Sequence, residues 1–255
     1  MKLYVKKTGD GDKALIILHG LFGMGDNWAG LAKAYSEKGF TVYLPDLRNH
    51  GRSPHDSVHD YKSMAGDILE LMESESLEKA FLIGHSMGGK TAMFFACMYP
   101  ERVERMVVVD IAPRYYPPHH HAILAAIHSV DTRYLNSRKE AESKLKEALR
   151  EESTIQFLLK NLYWNEIEKL DWRFNVRGLE ENLDNTGEAL PGSCMINLPV
   201  LFISGERSGY IQEKDKREIR KQFSRVSFET VPDAGHWVHA ENPAYFLNVT
   251  LNFLE

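Results

Sequence analysis

The segment Phe81-Leu82-Ile83-Gly84-His85-Ser86-Met87-Gly88-Gly89 has the residue types and spacing needed for nucleophilic attack. A strand-like apolar run leads to a serine with a glycine two positions away on each side. A helix-like segment then runs to Pro100. This is the pattern of a strained strand-to-helix turn that holds a serine Oγ above the edge of a sheet. Side chains at 84 and 88 would collide with the strand and the helix, so glycine is expected at both. A serine hydroxyl is a weak nucleophile at neutral pH and needs a base. Of the 11 histidines, His236 is the candidate base, because it follows the last strand-like run in a glycine-containing loop. His19 and His85 lie too close to strand ends to swing freely and are expected to orient the neighbouring loops. His239 is expected to point elsewhere.

An imidazole base needs a carboxylate to set its tautomer and stabilise the imidazolium. The chain order expected for such a site is serine, acid, histidine. The usual place for the acid, the loop Gly205-Glu206-Arg207-Ser208-Gly209-Tyr210-Ile211, has Ser208 where aspartate would be expected. Asp110, directly after the apolar run Met106–Val109, is the first candidate, with Glu206 and Asp215 as alternatives. The oxyanion formed on attack requires backbone N–H donors. One is expected from Met87, at a helix N-terminus. The other is expected from the loop His19-Gly20-Leu21-Phe22-Gly23, with Leu21 as first choice and Phe22 as second. Met24, Trp28 and apolar residues of the central segment are either pocket lining or core; core is favoured for Trp28. His119-His120-His121 is not expected to bind metal, because consecutive side chains diverge.

These residues must be brought together by a parallel sheet. Short apolar runs at Ala14–Leu18, Phe40–Leu44, Phe81–Ile83 and Met106–Val109 alternate with helical patterns around 28–38, 61–74 and 90–98. Buried strands separated by helices imply a mostly parallel sheet covered on both faces, an α/β fold with ligands beyond the strands' carboxyl ends. His19, Asp46, Ser86 and Asp110 all fall at such ends. Between 113 and 190 the alternation stops. Helical patterns at 122–129, 138–150 and 153–164 suggest a helical cap over the sheet's active end. The pattern resumes with strands at 199–204 and 226–231 and helices at 214–223 and 245–254. The expected division is therefore a core of 1–112 and 191–255 with a cap of 113–190.

The 255 residues suffice for one large domain with an insert. A net charge of -5 gives no basic footprint for nucleic acid. No apolar run approaches a membrane span, and residues 1–7 alternate like a strand and lack an apolar signal core. The expectation is a cytoplasmic, monomeric protein acting on a small molecule without a metal or organic cofactor. Cys97 and Cys194 have no metal-ligand spacing. Cys97 reads as a small buried apolar residue, and little in the sequence supports pairing the two. Lys90 is expected in solvent on its helix. Asp46–Ser53 reads as a structural turn from which Arg48 or His50 could face the site.

Taken together, His19–Gly23, Asp46–Ser53, Gly84–Lys90, Val109–Pro113 and Ala234–Glu241 make the chain resemble the α/β-hydrolase superfamily over essentially its full length. More narrowly it resembles the YbfF-type esterases, relatives of the abhydrolase-domain 11 proteins. The resemblance implies an α/β-hydrolase fold and a serine esterase for small to medium acyl esters, with acyl-CoA thioesters as a second substrate class. It also favours Asp110 as the acid, because that subgroup likewise lacks the usual aspartate after Gly205. Two rivals stand: a C–C hydrolase or lyase of the same fold, for which Arg48 and Arg114 are the candidate carboxylate clamps, and a non-catalytic small-molecule receptor.

Overall fold

The computed structural model describes every residue except His119, Arg133 and Asn136. Seven strands form one sheet: β1 (Val5–Thr8), β2 (Lys13–Leu18), β3 (Phe40–Pro45), β4 (Ala80–His85), β5 (Val103–Val109), and two more, numbered β8 (Ile196–Gly205) and β9 (Phe223–Val231). A separate antiparallel pair, β6 (Leu162–Trp164) and β7 (Leu170–Trp172), lies between β5 and β8 in the chain. The main sheet runs in the order β1-β3-β2-β4-β5-β8-β9. Only β1 pairs antiparallel, against β3. The other pairings are parallel. Runs such as Leu15–Leu18 and Met106–Val109 are buried on both sides, as parallel strands between two helical layers must be.

One layer contains α1 (Ala29–Ser36) and α10 (Pro243–Leu254), where Trp28, Tyr35 and Phe246 pack on the sheet. The opposite layer contains α2 (Tyr61–Ser74), α3 (Met87–Met98) and α8 (Glu213–Gln222), with Tyr61, Phe94 and Ile219 in its core. Trp28 is core, stacked 3.8 Å from the His239 ring. That contact draws His239 into the interior, and burial together with the nearby His236 pulls it down to about 3. The short α9 (Val238–Glu241) carries it.

Between β5 and β8 lie α4 (His121–Ser129), α5 (Arg138–Ala148), α6 (Glu152–Leu159) and α7 (Val176–Glu181), together with the β6–β7 pair. The helix expected to reach Trp164 stops at Leu159. Leu162–Trp164 is strand because the chain reverses at 165–169, where the Asn165 side-chain Oδ1 accepts from the amides of Ile167 and Lys169. β-Propensity of Tyr163 and Trp164 then outweighs their helical spacing. Among the described residues, no helix is long and apolar enough to cross a membrane.

Two expectations are corrected. Lys90 is fully buried rather than solvated. Its Nζ donates to the carbonyls of Pro113 (3.4 Å), Arg114 (2.6 Å) and Glu188. Three converging carbonyls supply the partners that water would give an exposed ammonium. Burial and the nearby Arg114 guanidinium pull Lys90 down to about 7. Cys97 and Cys194 are joined in a disulfide with Cα atoms 5.7 Å apart. Their separation of 97 positions hid that pairing from a reading based on spacing.

Candidate active site

Strand β4 ends at His85, and Ser86 turns the chain into α3 with φ 53° and ψ -116°, a conformation costly for a residue with a Cβ. The strain is sustained by close packing that only glycine permits. A Cβ on Gly84 would lie 2.3 Å from the Gly88 carbonyl oxygen, and one on Gly88 would lie 2.3 Å from that of Leu18. The Ser86 amide donates to Val109 O at 2.9 Å, which anchors the turn to the neighbouring strand. α3 begins at Met87, so the Met87 N–H has no carbonyl a turn earlier in the helix to bond, and Met87 lines a small cavity together with Ser86.

Asp110 occupies the same position one strand over. It too has positive φ, 52°, and its amide donates to Ile203 O at 2.7 Å. Its carboxylate is fully buried. Oδ2 accepts from His236 Nδ1 at 2.7 Å and from Ser208 Oγ at 2.5 Å, and Oδ1 accepts from Gly205 N at 3.3 Å. Of the three candidate acids, the structure brings Asp110 to the histidine. Glu206 instead accepts from the Asp233 amide at 3.0 Å. Asp215 is engaged by Arg114 Nε at 3.0 Å and the Gln212 amide at 2.8 Å. Ser208, which stands where an aspartate was expected, reaches Asp110 from the neighbouring loop and shares the oxygen that meets His236.

His236 is held from several sides. Its Nδ1 faces a carboxylate, so Nδ1 carries the proton and Nε2 is left as the basic nitrogen. The Tyr210 ring stacks on the imidazole at 4.1 Å. The His236 carbonyl accepts from His85 Nε2 at 2.8 Å. Ser86 and His236 line one cavity together. His85, the residue before the serine, therefore fixes the loop that carries the histidine. Burial and the adjacent His236 keep His85 well below its ordinary value, hence neutral.

The loop after β2 approaches the elbow so closely that a Cβ on Gly20 would lie 3.4 Å from Ser86 Cβ. Its conformation is set by groups from distant segments. The Phe22 amide donates to His50 Nε2 at 3.1 Å, and the Phe22 carbonyl accepts from Asn161 Nδ2 at 2.8 Å. Phe22 is thus engaged at both ends. Among the described residues, no acceptor takes the Leu21 amide, so Leu21 is the available donor beside Met87. His19 braces the loop base, accepting from Leu47 N at 2.9 Å on Nε2 and donating from Nδ1 to Gly20 O at 2.8 Å. His50, expected as one of two residues of its turn that could face the site, instead supports the loop through the Phe22 amide; Asn161 was missed, since a bond to a backbone carbonyl leaves no mark in spacing.

Arg48 does not face the site; its guanidinium grips Asp67 at 2.6 and 2.8 Å. Arg114 pairs with Asp215 at 3.0 Å and lies over the Tyr116 ring. Neither guanidinium lines the cavities that meet at Ser86. Met24 is buried away from them. Among the described residues, no group of three or more histidine, cysteine or acidic side chains could hold a metal ion. His119 lies outside the described residues; His120 borders both cavities at Ser86.

A family model described as the alpha/beta hydrolase fold matches residues 13–135. The sn-1-specific diacylglycerol lipase ABHD11 of Mus musculus is 39% identical over 256 residues, covering 96% of this chain and 83% of that protein. Esterase YbfF of Escherichia coli is 36% identical over 243 residues, covering 94% of this chain and 92% of its own length. A solved structure of a marine microorganism esterase superposes with a TM-score of 0.96 at 41% identity, covering 99% of both chains.

Proposed function

The chain belongs to the α/β-hydrolase family, and on that footing we propose that it is a serine carboxylesterase working through Ser86, His236 and Asp110. The observation that carries the reading is the buried Asp110 carboxylate on His236 Nδ1, with His236 and Ser86 facing one cavity. His236 Nε2 takes the Ser86 proton as Oγ attacks the acyl carbon. The amides of Leu21 and Met87 stabilise the oxyanion. His236 then protonates the leaving alkoxide, and later removes a proton from water to release the acid.

Small to medium acyl esters are the proposed substrates, with acyl-CoA thioesters as a second class open to the same chemistry. The engagement of Arg48 and Arg114 elsewhere weighs against a C–C hydrolase that grips a carboxylate. A half-buried, strained serine lining one cavity with a carboxylate-bound histidine weighs against a passive receptor. The protein is proposed to act as a cytoplasmic monomer on a small molecule, although the Cys97–Cys194 disulfide is of a kind rare in reducing compartments. Turnover of p-nitrophenyl acetate or butyrate, lost in Ser86→Ala, and labelling of Ser86 by a fluorophosphonate test the esterase reading. No turnover and no labelling would overturn it.

A further inference from the structure

Two cavities of very different size meet at Ser86. The larger has a volume of about 260 Å³ and contains His236, Trp237 and Phe157 in its walls. The smaller has about 20 Å³ and has Leu21, Met87, Tyr61, Ile111, Tyr116 and Gly187 among its walls, without His236. Such a space holds little more than one water-sized group.

The chemistry proposed above assigns the two sides. The leaving oxygen must lie within hydrogen-bond reach of His236 Nε2 to be protonated, so the leaving group extends into the large cavity. With the oxyanion directed at the Met87 and Leu21 amides, the remaining substituent of the carbonyl carbon points away from His236. The small cavity, bordered by Leu21 and Met87 and without His236, is the space open on that side of Ser86. We infer that the protein selects esters with a very short acyl group, acetyl or propionyl, joined to a bulky apolar alcohol. The inference rests on the esterase reading and deepens it.

The small cavity is built to stay small. The Tyr61 ring is fully buried, stacked at 5.1 Å on Phe94, and its hydroxyl donates to Thr186 O at 2.5 Å. The Tyr116 hydroxyl accepts from the Ala112 amide at 2.9 Å and donates to Tyr210 O at 2.6 Å. Gly187 packs so tightly that a Cβ there would lie 2.0 Å from Tyr116 O. Behind this wall, Lys90 Nζ ties the carbonyls of Arg114 and Glu188, joining the two stretches that lead into and out of the central helices. Expansion to admit a longer chain would break these bonds in a buried place, where lost partners are costly.

The test is a two-way panel: p-nitrophenyl acetate, butyrate and octanoate, and methyl and 2-naphthyl acetate. In the wild type, kcat/KM should fall at least ~10-fold from acetate to butyrate and ~100-fold to octanoate, in line with what pocket size imposes per methylene group. Methyl and naphthyl acetate should both be accepted, the latter better. Ile111→Ala, which removes a wall side chain, should raise the butyrate-to-acetate ratio about 10-fold. Phe157→Ala should instead alter the dependence on alcohol size. Octanoate hydrolysis as efficient as acetate hydrolysis, or strong discrimination by alcohol size with acyl length tolerated, would overturn the inference and leave the esterase reading standing. Absence of turnover across the panel, with Ser86 unlabelled by fluorophosphonate, would overturn both. The wild-type panel decides the matter even if Ile111→Ala does not fold.

Discussion

Replacing Asp110 by asparagine removes one charge and almost no volume, yet the bonding around it forces a wrong tautomer on His236. Gly205 N–H can only donate, so the atom at the Oδ1 position must remain an oxygen. The amide nitrogen then occupies the Oδ2 position, facing His236 Nδ1 and Ser208 Oγ. Ser208 can rotate to accept. His236 must also accept at Nδ1, which puts its proton on Nε2 and leaves no lone pair for the Ser86 proton. The opposite amide orientation sets two N–H donors against each other at Gly205. Loss of the charge-assisted bond to a buried carboxylate removes about 3 kcal/mol of imidazolium stabilisation. The tautomer shift adds about 2 kcal/mol, for a total of about 5 kcal/mol, or three to four orders of magnitude in rate. The same change in another Ser-His-Asp site costs about 10⁴ in kcat. Steady-state hydrolysis of p-nitrophenyl acetate measures this, with circular dichroism to verify the fold. Glu206→Gln and Asp215→Asn should stay within about threefold of wild type, since neither carboxylate touches His236. Asp110→Asn retaining a tenth or more of wild-type kcat, or either control proving the crippling change, would refute the reasoning.

Three further outcomes follow from the same contacts. His50→Ala strips the Phe22 amide of its acceptor and loosens the loop that presents Leu21, so kcat should fall about 10-fold with KM little changed. The buried histidines govern acid stability. Burial, with like-charged neighbours, holds His59 down to about 4, His239 to about 3, and His50 and His85 well below their ordinary value. The unfolded chain binds protons at these sites below about pH 6.5 while the folded chain does not, so stability is full above that pH and falls as pH drops through it. By pH 5 His59 and His239 each cost about 2 kcal/mol, His50 and His85 act in the same direction, and urea midpoints should decline steeply between pH 7 and 5; a flat profile would refute the neutral, buried assignment. Cys194→Ser opens a bond between cysteines 97 positions apart and should lower stability by about 2–4 kcal/mol, read from denaturant melts.

The division between what could be read from the chain and what could not follows the range of the interactions. Strands such as Phe40–Pro45 and the helix Tyr61–Ser74 announce themselves through local periodicity, which reflects burial on one or two faces. The elbow is equally local: Gly84, Ser86 and Gly88 meet within one turn, so their spacing carries the geometry. Leu162–Trp164 was misread as helix because a strand of three residues exists only through its partner at Leu170–Trp172. Lys90 looked solvated because its three carbonyl partners come from residues 113, 114 and 188. The choice among Asp110, Glu206 and Asp215 needed the 126-residue reach from Asp110 to His236. The separation of Leu21 from Phe22 needed His50 and Asn161. Sequence alone determined which groups could react and at which strand ends they stand. Tertiary structure decided which carboxylate meets the imidazole, which amide is left to donate, and how much room lies on each side of the serine. Those depend on distances between segments that the order of residues does not encode locally.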